Sequence, residues 1–154
     1  MAKRIRELVI RAKREHLEVM KGDFRDDDEI ESRILCGKSA YEHAVYSFYH
    51  SDNVWVGLHQ GKPVLIFGHT RDNFSTSISC PWFASTNELL NVGLSTVRQS
   101  RHYVQEMKRN AHKLETLVHA KNVVSRKWLE WSGFNIDPPE LREDTGELFH
   151  KVWL

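Results

Sequence analysis

The chain has little cysteine, no long apolar run and almost no net charge, and each shortage removes a class of protein. Cys36 and Cys80 are the only cysteines in 154 residues. Two thiols this far apart in sequence supply neither a metal-ligand pair nor a disulfide framework, so both are expected as reduced thiols. No apolar stretch approaches the ~18 residues that span a bilayer, and residues 1–14 are charged throughout, so neither a membrane span nor a signal segment is expected. Lysine and arginine number 22 against 21 aspartates and glutamates, a formal net charge of +1. That balance gives no global electrostatic case for wrapping nucleic acid, and any basic surface is local. GxSxG, GxxxxGK and GxGxxG are all missing, which removes the signals for a serine hydrolase, a P-loop nucleotidase and a Rossmann domain. Nine histidines are present, without an HExxH or a His-x-x-x-His pair, so no metal is expected.

What remains is an ordinary globular composition, 40% hydrophobic and 28% charged, and a length that fits one domain over residues 1–154. Leu8-Val9-Ile10, rich in β-branched residues and flanked by charge, predicts a strand near residues 6–12. Glu15 to Met20 predicts a short helix ending near Gly22. The acidic run before Ile30 suits the positive end of a second helix over about 26–36. The three-to-four spacing of Ala40, Tyr41, Ala44, Val45, Phe48 and Tyr49 predicts a third, with strand as the alternative. Val54–Leu58 and Pro63–Phe67, joined by Gln60-Gly61-Lys62, read as a β-hairpin. A strand is expected over Ser77–Ala84, bulged or open on one side at Pro81, which has no N–H for a ladder.

Leu90, Leu94, Val97, Val104, Met107, Ala111 and Leu114 then predict a helix of about 25 residues, about 38 Å long. A Ser-x-x-Glu capping box at Ser85-Thr86-Asn87-Glu88 is expected to open it. A strand at Thr116–Ala120, a short helix at Val123–Ser132 stopped by Gly133, and a closing strand at Glu147–Trp153 follow. The order is α/β (α+β): a mostly antiparallel sheet with one parallel crossover, and the long and short helices packed on it.

Tyr41, Tyr46, Phe48, Tyr49, Trp55, Trp82, Phe83, Trp128, Trp131 and Trp153, together with Arg98, Arg101, Lys108, Arg109, Lys113, Arg126 and Lys127, have the composition of a single-strand nucleic-acid surface. Their strand and helix positions favour a core role for the aromatics and a solvated helix face for the cations. Nucleic-acid binding is therefore disfavoured, and any tryptophan left exposed points to a protein interface.

One segment is specific. In Asn122-Val123-Val124-Ser125-Arg126-Lys127-Trp128-Leu129-Glu130-Trp131-Ser132-Gly133-Phe134, Asn122 can hold a strand-to-helix turn. Ser125 permits close packing, Trp128 and Leu129 bury the helix, and Gly133 ends it. The segment resembles, in register, the motif of GNAT acetyltransferases, and the order of elements before it is similar to theirs.

That resemblance implies an acetyl-CoA site between two splayed strands at about 77–84 and 116–121. Trp82, Phe83, Ala84, Ser85, Thr86, Asn87, Asn122 and Ser125 become the cofactor-binding candidates, and Glu115 or His119 the candidate base. Two departures accompany it. The family's glycine-rich phosphate turn is replaced by Ser85-Thr86-Asn87-Glu88, and its thiolate-protonating tyrosine by Leu129, leaving water or Cys80 as substitute. No bound cofactor is therefore expected, and acetyl-CoA only if the chain is an enzyme. The run Cys80-Pro81-Trp82-Phe83-Ala84-Ser85-Thr86-Asn87, the basic long helix, the Asn122–Phe134 motif and the Asp144-Thr145-Gly146-Glu147-Leu148-Phe149 end together resemble the internal virion or core-assembly proteins of short-tailed bacteriophages. This narrower resemblance implies a virion-associated or assembly protein on a catalytically degenerate GNAT-like fold. It would contact other phage virion proteins, have its oligomeric state set by the assembly, and reside in the virion or host cytoplasm. The alternative is an active N-acetyltransferase acting on a protein or small-molecule amine.

Overall fold

The computed structural model describes residues 8–72, 75–91 and 94–154, and of residues 72, 75, 76 and 94–98 the backbone alone. In chain order the elements are β1 (Leu8–Arg11), α1 (Arg14–Met20), α2 (Asp26–Cys36), α3 (Ala40–Tyr49), β2 (Ser51–His59), β3 (Lys62–Asp72) and β4 (Ser75–Ser85). A 3-10 turn (Asn87–Asn91) precedes α4 (Leu94–Arg109), β5 (Lys113–His119), α5 (Val123–Trp131), β6 (Asn135–Ile136), β7 (Glu140–Arg142) and β8 (Glu147–Trp153). The strands form one sheet in the order β1-β2-β3-β4-β5-β8-β6, with β7 also paired to β8. Every pairing is antiparallel except β4 with β5. The expected mixed sheet with one parallel crossover is what forms. Residues 6 and 7 of the expected first strand lie outside the described residues.

Alternation along the strands sorts the core into two layers. Val54, Ile66, Trp82 and Ala84 face α1 and α3, where Leu17, Met20, Ala40 and Ala44 are buried. Trp55, Leu65 and Phe67 face the other way and meet Val104 and Met107 of α4 and Trp128 and Leu129 of α5. Helix α3 starts at Ser39, whose hydroxyl accepts from the Glu42 N–H at 3.1 Å, and α2 stops at Gly37 in the left-handed region (φ 66°). Asn122 caps α5, its side-chain oxygen accepting from the Ser125 N–H at 3.4 Å. The helix closes with a Schellman arrangement: the Gly133 N–H reaches the Glu130 carbonyl and the Phe134 N–H the Leu129 carbonyl, with Gly133 at φ 104°.

The long helix is shorter than its apolar spacing predicts. Helix α4 has 16 residues, about 24 Å. At its end the Asn110 side chain donates to the Glu106 carbonyl at 3.2 Å, and Leu114 belongs to β5. At its start the capping box does not form. Ser85 is the last residue of β4, its hydroxyl donates to Asp28 at 3.2 Å, and Glu88 lies exposed in the 3-10 turn. The apolar period was continuous across two breaks because Leu90, 65% exposed, happened to keep the spacing without facing the core.

Candidate functional site

Strands β4 and β5 touch at only two pairs, Ile78 with Lys113 and Ser79 with Leu114. Beyond Ser79 they separate into a fork. Pro81 still pairs with His69 of β3 but has an open flank toward β5, the place where a residue without an N–H interrupts no ladder. A cavity of about 710 Å³ fills the fork. One side is walled by Glu31, Cys36, His43 and Tyr46 of α2 and α3, the other by Val104, Met107, Trp128 and Leu129. Phe83 stacks on Trp128 with ring centroids 4.7 Å apart, and the Trp128 indole N–H donates to the Ser100 hydroxyl at 2.8 Å. The apolar wall is thereby fixed in orientation.

The open end of the fork is bridged by the first turns of α2. Arg25 is 4% and Asp28 7% exposed, with Arg25 Nη2 3.0 Å from Asp28 Oδ1. Asp28 Oδ2 accepts from the Ser85 N–H at 3.1 Å and the Ser85 hydroxyl at 3.2 Å, at the tip of β4. Arg25 Nη2 also donates to Asn122 Oδ1 at 3.1 Å, beyond the tip of β5. The Asn122 amide in turn donates to Glu31 Oε2 at 2.6 Å and to Asp28 Oδ1 at 3.5 Å. Burial pushes the half-buried Glu31 carboxyl up to about 7, with the negative charge of Asp28 adding and the Asn122 hydrogen bond opposing. A carboxyl with that proton affinity is able to take up or release a proton near neutral pH.

Of the residues singled out from the sequence, Trp82, Phe83, Ala84, Ser125 and Glu115 line the cavity. Ser85, Thr86 and Asn122 are buried beside it rather than in its wall, and Asn87 is exposed in the 3-10 turn. Glu115 is pinned between Lys113 and Lys151, at 3.2 Å from each. Burial opposes them, yet the two ammonium groups hold its carboxyl below the usual range. His119 is 4% exposed and lies outside the cavity wall, its Nε2 3.0 Å from Glu147 Oε2. Leu129, in place of a proton donor, does reach the cavity. The Cys80 thiol also lines it, 3.6 Å from the Thr116 hydroxyl, and burial pushes it up. Sequence reasoning missed Arg25, Asp28 and Glu31, because their partners are up to 97 residues away. A signal was present: spacing by three puts one cation and two carboxylates on one face of α2. Among the described residues no group of three histidines, cysteines or carboxylates is placed to hold a metal ion.

The fold is similar to that of solved acetyltransferase structures. The chain superposes on a GNAT-family acetyltransferase from Streptococcus pneumoniae over 97% of its own length and 99% of that chain, with a TM-score of 0.62 at 9% identity. Against Ard1 from Thermoplasma volcanium the figures are 96%, 96%, 0.65 and 11%. RimL, a ribosomal alpha-N-protein acetyltransferase solved in complex with coenzyme A, matches over 95% and 92% with a TM-score of 0.62 at 5% identity. The chain therefore has the GNAT fold. No protein-family model and no curated protein sequence matches it.

Proposed function

We propose that this chain uses the GNAT fold as a scaffold in a bacteriophage particle or its assembly, not as an acetyl-CoA-dependent catalyst. One observation carries the loss of catalysis. At the exit of β4, the Ser85 N–H is taken by Asp28, the Thr86 N–H by the Val64 carbonyl at 2.9 Å and the Asn87 N–H by the Asp23 carbonyl at 3.3 Å. An incoming pyrophosphate would meet amides that are already paired and a buried carboxylate of its own sign. These three residues offer the group no free amide, and α4 itself opens further on, at Leu94. Leu129 in the cavity wall supports the same reading. The phage assignment is supported by the resemblance of the Cys80–Asn87 and Asp144–Phe149 runs, and exposed Trp131 and Trp153 supply aromatic surface for protein partners.

The test is a thermal titration with acetyl-CoA, paired with mass spectrometry of purified particles. A ligand at about 100 times its dissociation constant adds about 2.7 kcal/mol, several degrees at this size. We expect no shift up to millimolar acetyl-CoA and the chain among the particle or procapsid proteins. A saturable rise overturns the scaffold reading. Absence from particles and procapsids overturns the phage one.

A second reading, an N-acetyltransferase acting on an amine, is favoured by one feature: Glu31 faces a cavity large enough for a ligand and has a proton affinity suited to accepting a proton near pH 7. Turnover of a primary amine that Glu31→Gln abolishes, with substrate binding retained, would establish it.

A further inference from the structure

A second hollow, of about 470 Å³ and open to solvent, lies between α5, β6 and β8 and shares only Phe134 with the fork. His150 of β8 lines it and is 6% exposed. The ring is fixed: Nδ1 lies 2.8 Å from the Asp137 carbonyl oxygen, which can only accept. In the neutral ring Nε2 is then a bare acceptor. No described residue partners Nε2, and it is not sealed in the interior, so its lone pair is left to the hollow. Asp137 is itself held. Its N–H donates to the Lys151 carbonyl at 2.9 Å and its Oδ1 accepts from the Trp153 indole N–H at 2.9 Å, and the Pro138-Pro139 pair that follows restricts the backbone. The orientation of the histidine is built in before any ligand arrives.

Two opposite charges border the same hollow. Arg126 and Glu130 of α5 both line it, four residues or about 6 Å apart along the helix. Side chains at that spacing ordinarily close on each other as an ion pair. These two do not, and neither has another side-chain partner among the described residues. Phe134 and Ile136 add an apolar wall. A simple anion would meet Glu130 and a simple cation would meet Arg126, so only a molecule carrying both charges satisfies the pair. We infer that this hollow binds a free α-amino acid with an apolar side chain, as its zwitterion. The carboxylate lies on Arg126 through charge-assisted bonds, the ammonium is shared by Glu130 and His150 Nε2, and the side chain rests on Phe134 and Ile136. An ammonium has three donors, enough for both acceptors with one left for water. The site is separate from the fork and does not depend on whether the fork takes acetyl-CoA.

The experiment is an NMR titration of the isotope-labelled chain with L-leucine, and with L-valine and L-phenylalanine in parallel, followed at the His150 ring nitrogens and at the backbone amides. We expect at least one of the three to saturate below about 10 mM, with the largest shifts at His150 Nε2 and along Arg126 to Ile136, and none at Cys80 or Trp82 in the fork. The two halves of leucine separate the charges: isocaproate lacks the amine and isopentylamine lacks the carboxylate. Each half should bind at least about 10-fold more weakly than leucine. Arg126→Met should abolish the preference for leucine over isopentylamine, and Glu130→Gln the preference over isocaproate, both with the thermal midpoint of wild type. If either variant melts well below wild type, Arg126→Gln or Glu130→Ala is read in its place. A flat titration with all three amino acids overturns the inference. So do equal affinities for leucine and either half, shifts confined to the fork, or variants that bind leucine and its halves as wild type does.

Discussion

Glu31 illustrates how one side chain can work against the fold that positions it. Its carboxyl ordinarily titrates near 4.5 and in the folded chain near 7. The folded state therefore favours the neutral acid. Its stabilising effect is complete below about pH 4.5 and is lost as pH rises toward 7, because unfolding releases a proton throughout that window. Glu31→Gln keeps an acceptor for the Asn122 amide and removes the titration. We expect it to raise stability at pH 8 by about 1 to 3 kcal/mol and to have little effect at pH 4, measured by urea denaturation at both values. Gly68 is constrained by space alone: a Cβ there would sit 2.7 Å from the Asn53 carbonyl oxygen and 3.2 Å from the Trp82 indole nitrogen. The nearest obstacle is backbone and cannot swing aside. Gly68→Ala should cost about 1 to 3 kcal/mol, read as a lower denaturant midpoint with an unchanged slope.

At the scale of elements, the structure separates what local pattern specifies from what tertiary contact decides. Helices α1 to α3, the β2–β3 hairpin, α5 with its stop at Gly133, and β8 were legible because caps, turn residues and alternation are local signals. The front of α4 was not. Ser85-Thr86-Asn87-Glu88 satisfies the capping-box pattern, but Asp28, 57 residues away, binds the Ser85 hydroxyl, and the chain takes a 3-10 turn before the helix. For the same reason Ser85, Thr86 and Asn122 were found as neighbours of the site while Arg25, Asp28 and Glu31 were not. Strands β6 and β7, of two and three residues, exist only because β8 offers an edge, and their sequence carries no pattern of that length. The Gly133 exit gives the cleanest test at this scale. Nothing lies within 4 Å of its missing Cβ, so Gly133→Val is penalised by its φ of 104° alone. We expect a loss of about 1 to 2 kcal/mol, with Gly133→Ala nearly as costly, by thermal denaturation.

Across the whole molecule, opposing titrations shape stability. His69 is 1% exposed, and neither ring nitrogen has a hydrogen-bond partner among the described residues. Burial holds its pKa below the ordinary 6.5, against the pull of Asp52, and His43 is shifted the same way by burial. A group of this kind contributes fully above about pH 6.5 and loses its contribution as pH falls, since the unfolded chain then binds the proton more readily. Glu31 acts in the opposite sense over the same acid-to-neutral window, so the two offset each other there. His69→Leu removes the gain and should give a thermal midpoint that rises less, or falls more, than that of wild type as pH rises from about 4.5 to 6.5. Parallel curves for wild type and variant would remove His69 as a contributor.

The two-pair junction between β4 and β5 also orders events in time. Strands β2, β3 and β4 follow one another through short connections and can assemble as soon as they are made. Strand β5 reaches its place only after the chain has crossed the sheet as α4, a slower closure over a longer loop. Until then the flank of β4 at Ile78 and Ser79 is an unpaired strand edge, open to pairing with another copy. A growing chain of this protein is thus most vulnerable to misassociation between completion of its hairpins and arrival of residues 113–119, an interval set by synthesis and folding rates rather than by the stability of the finished fold.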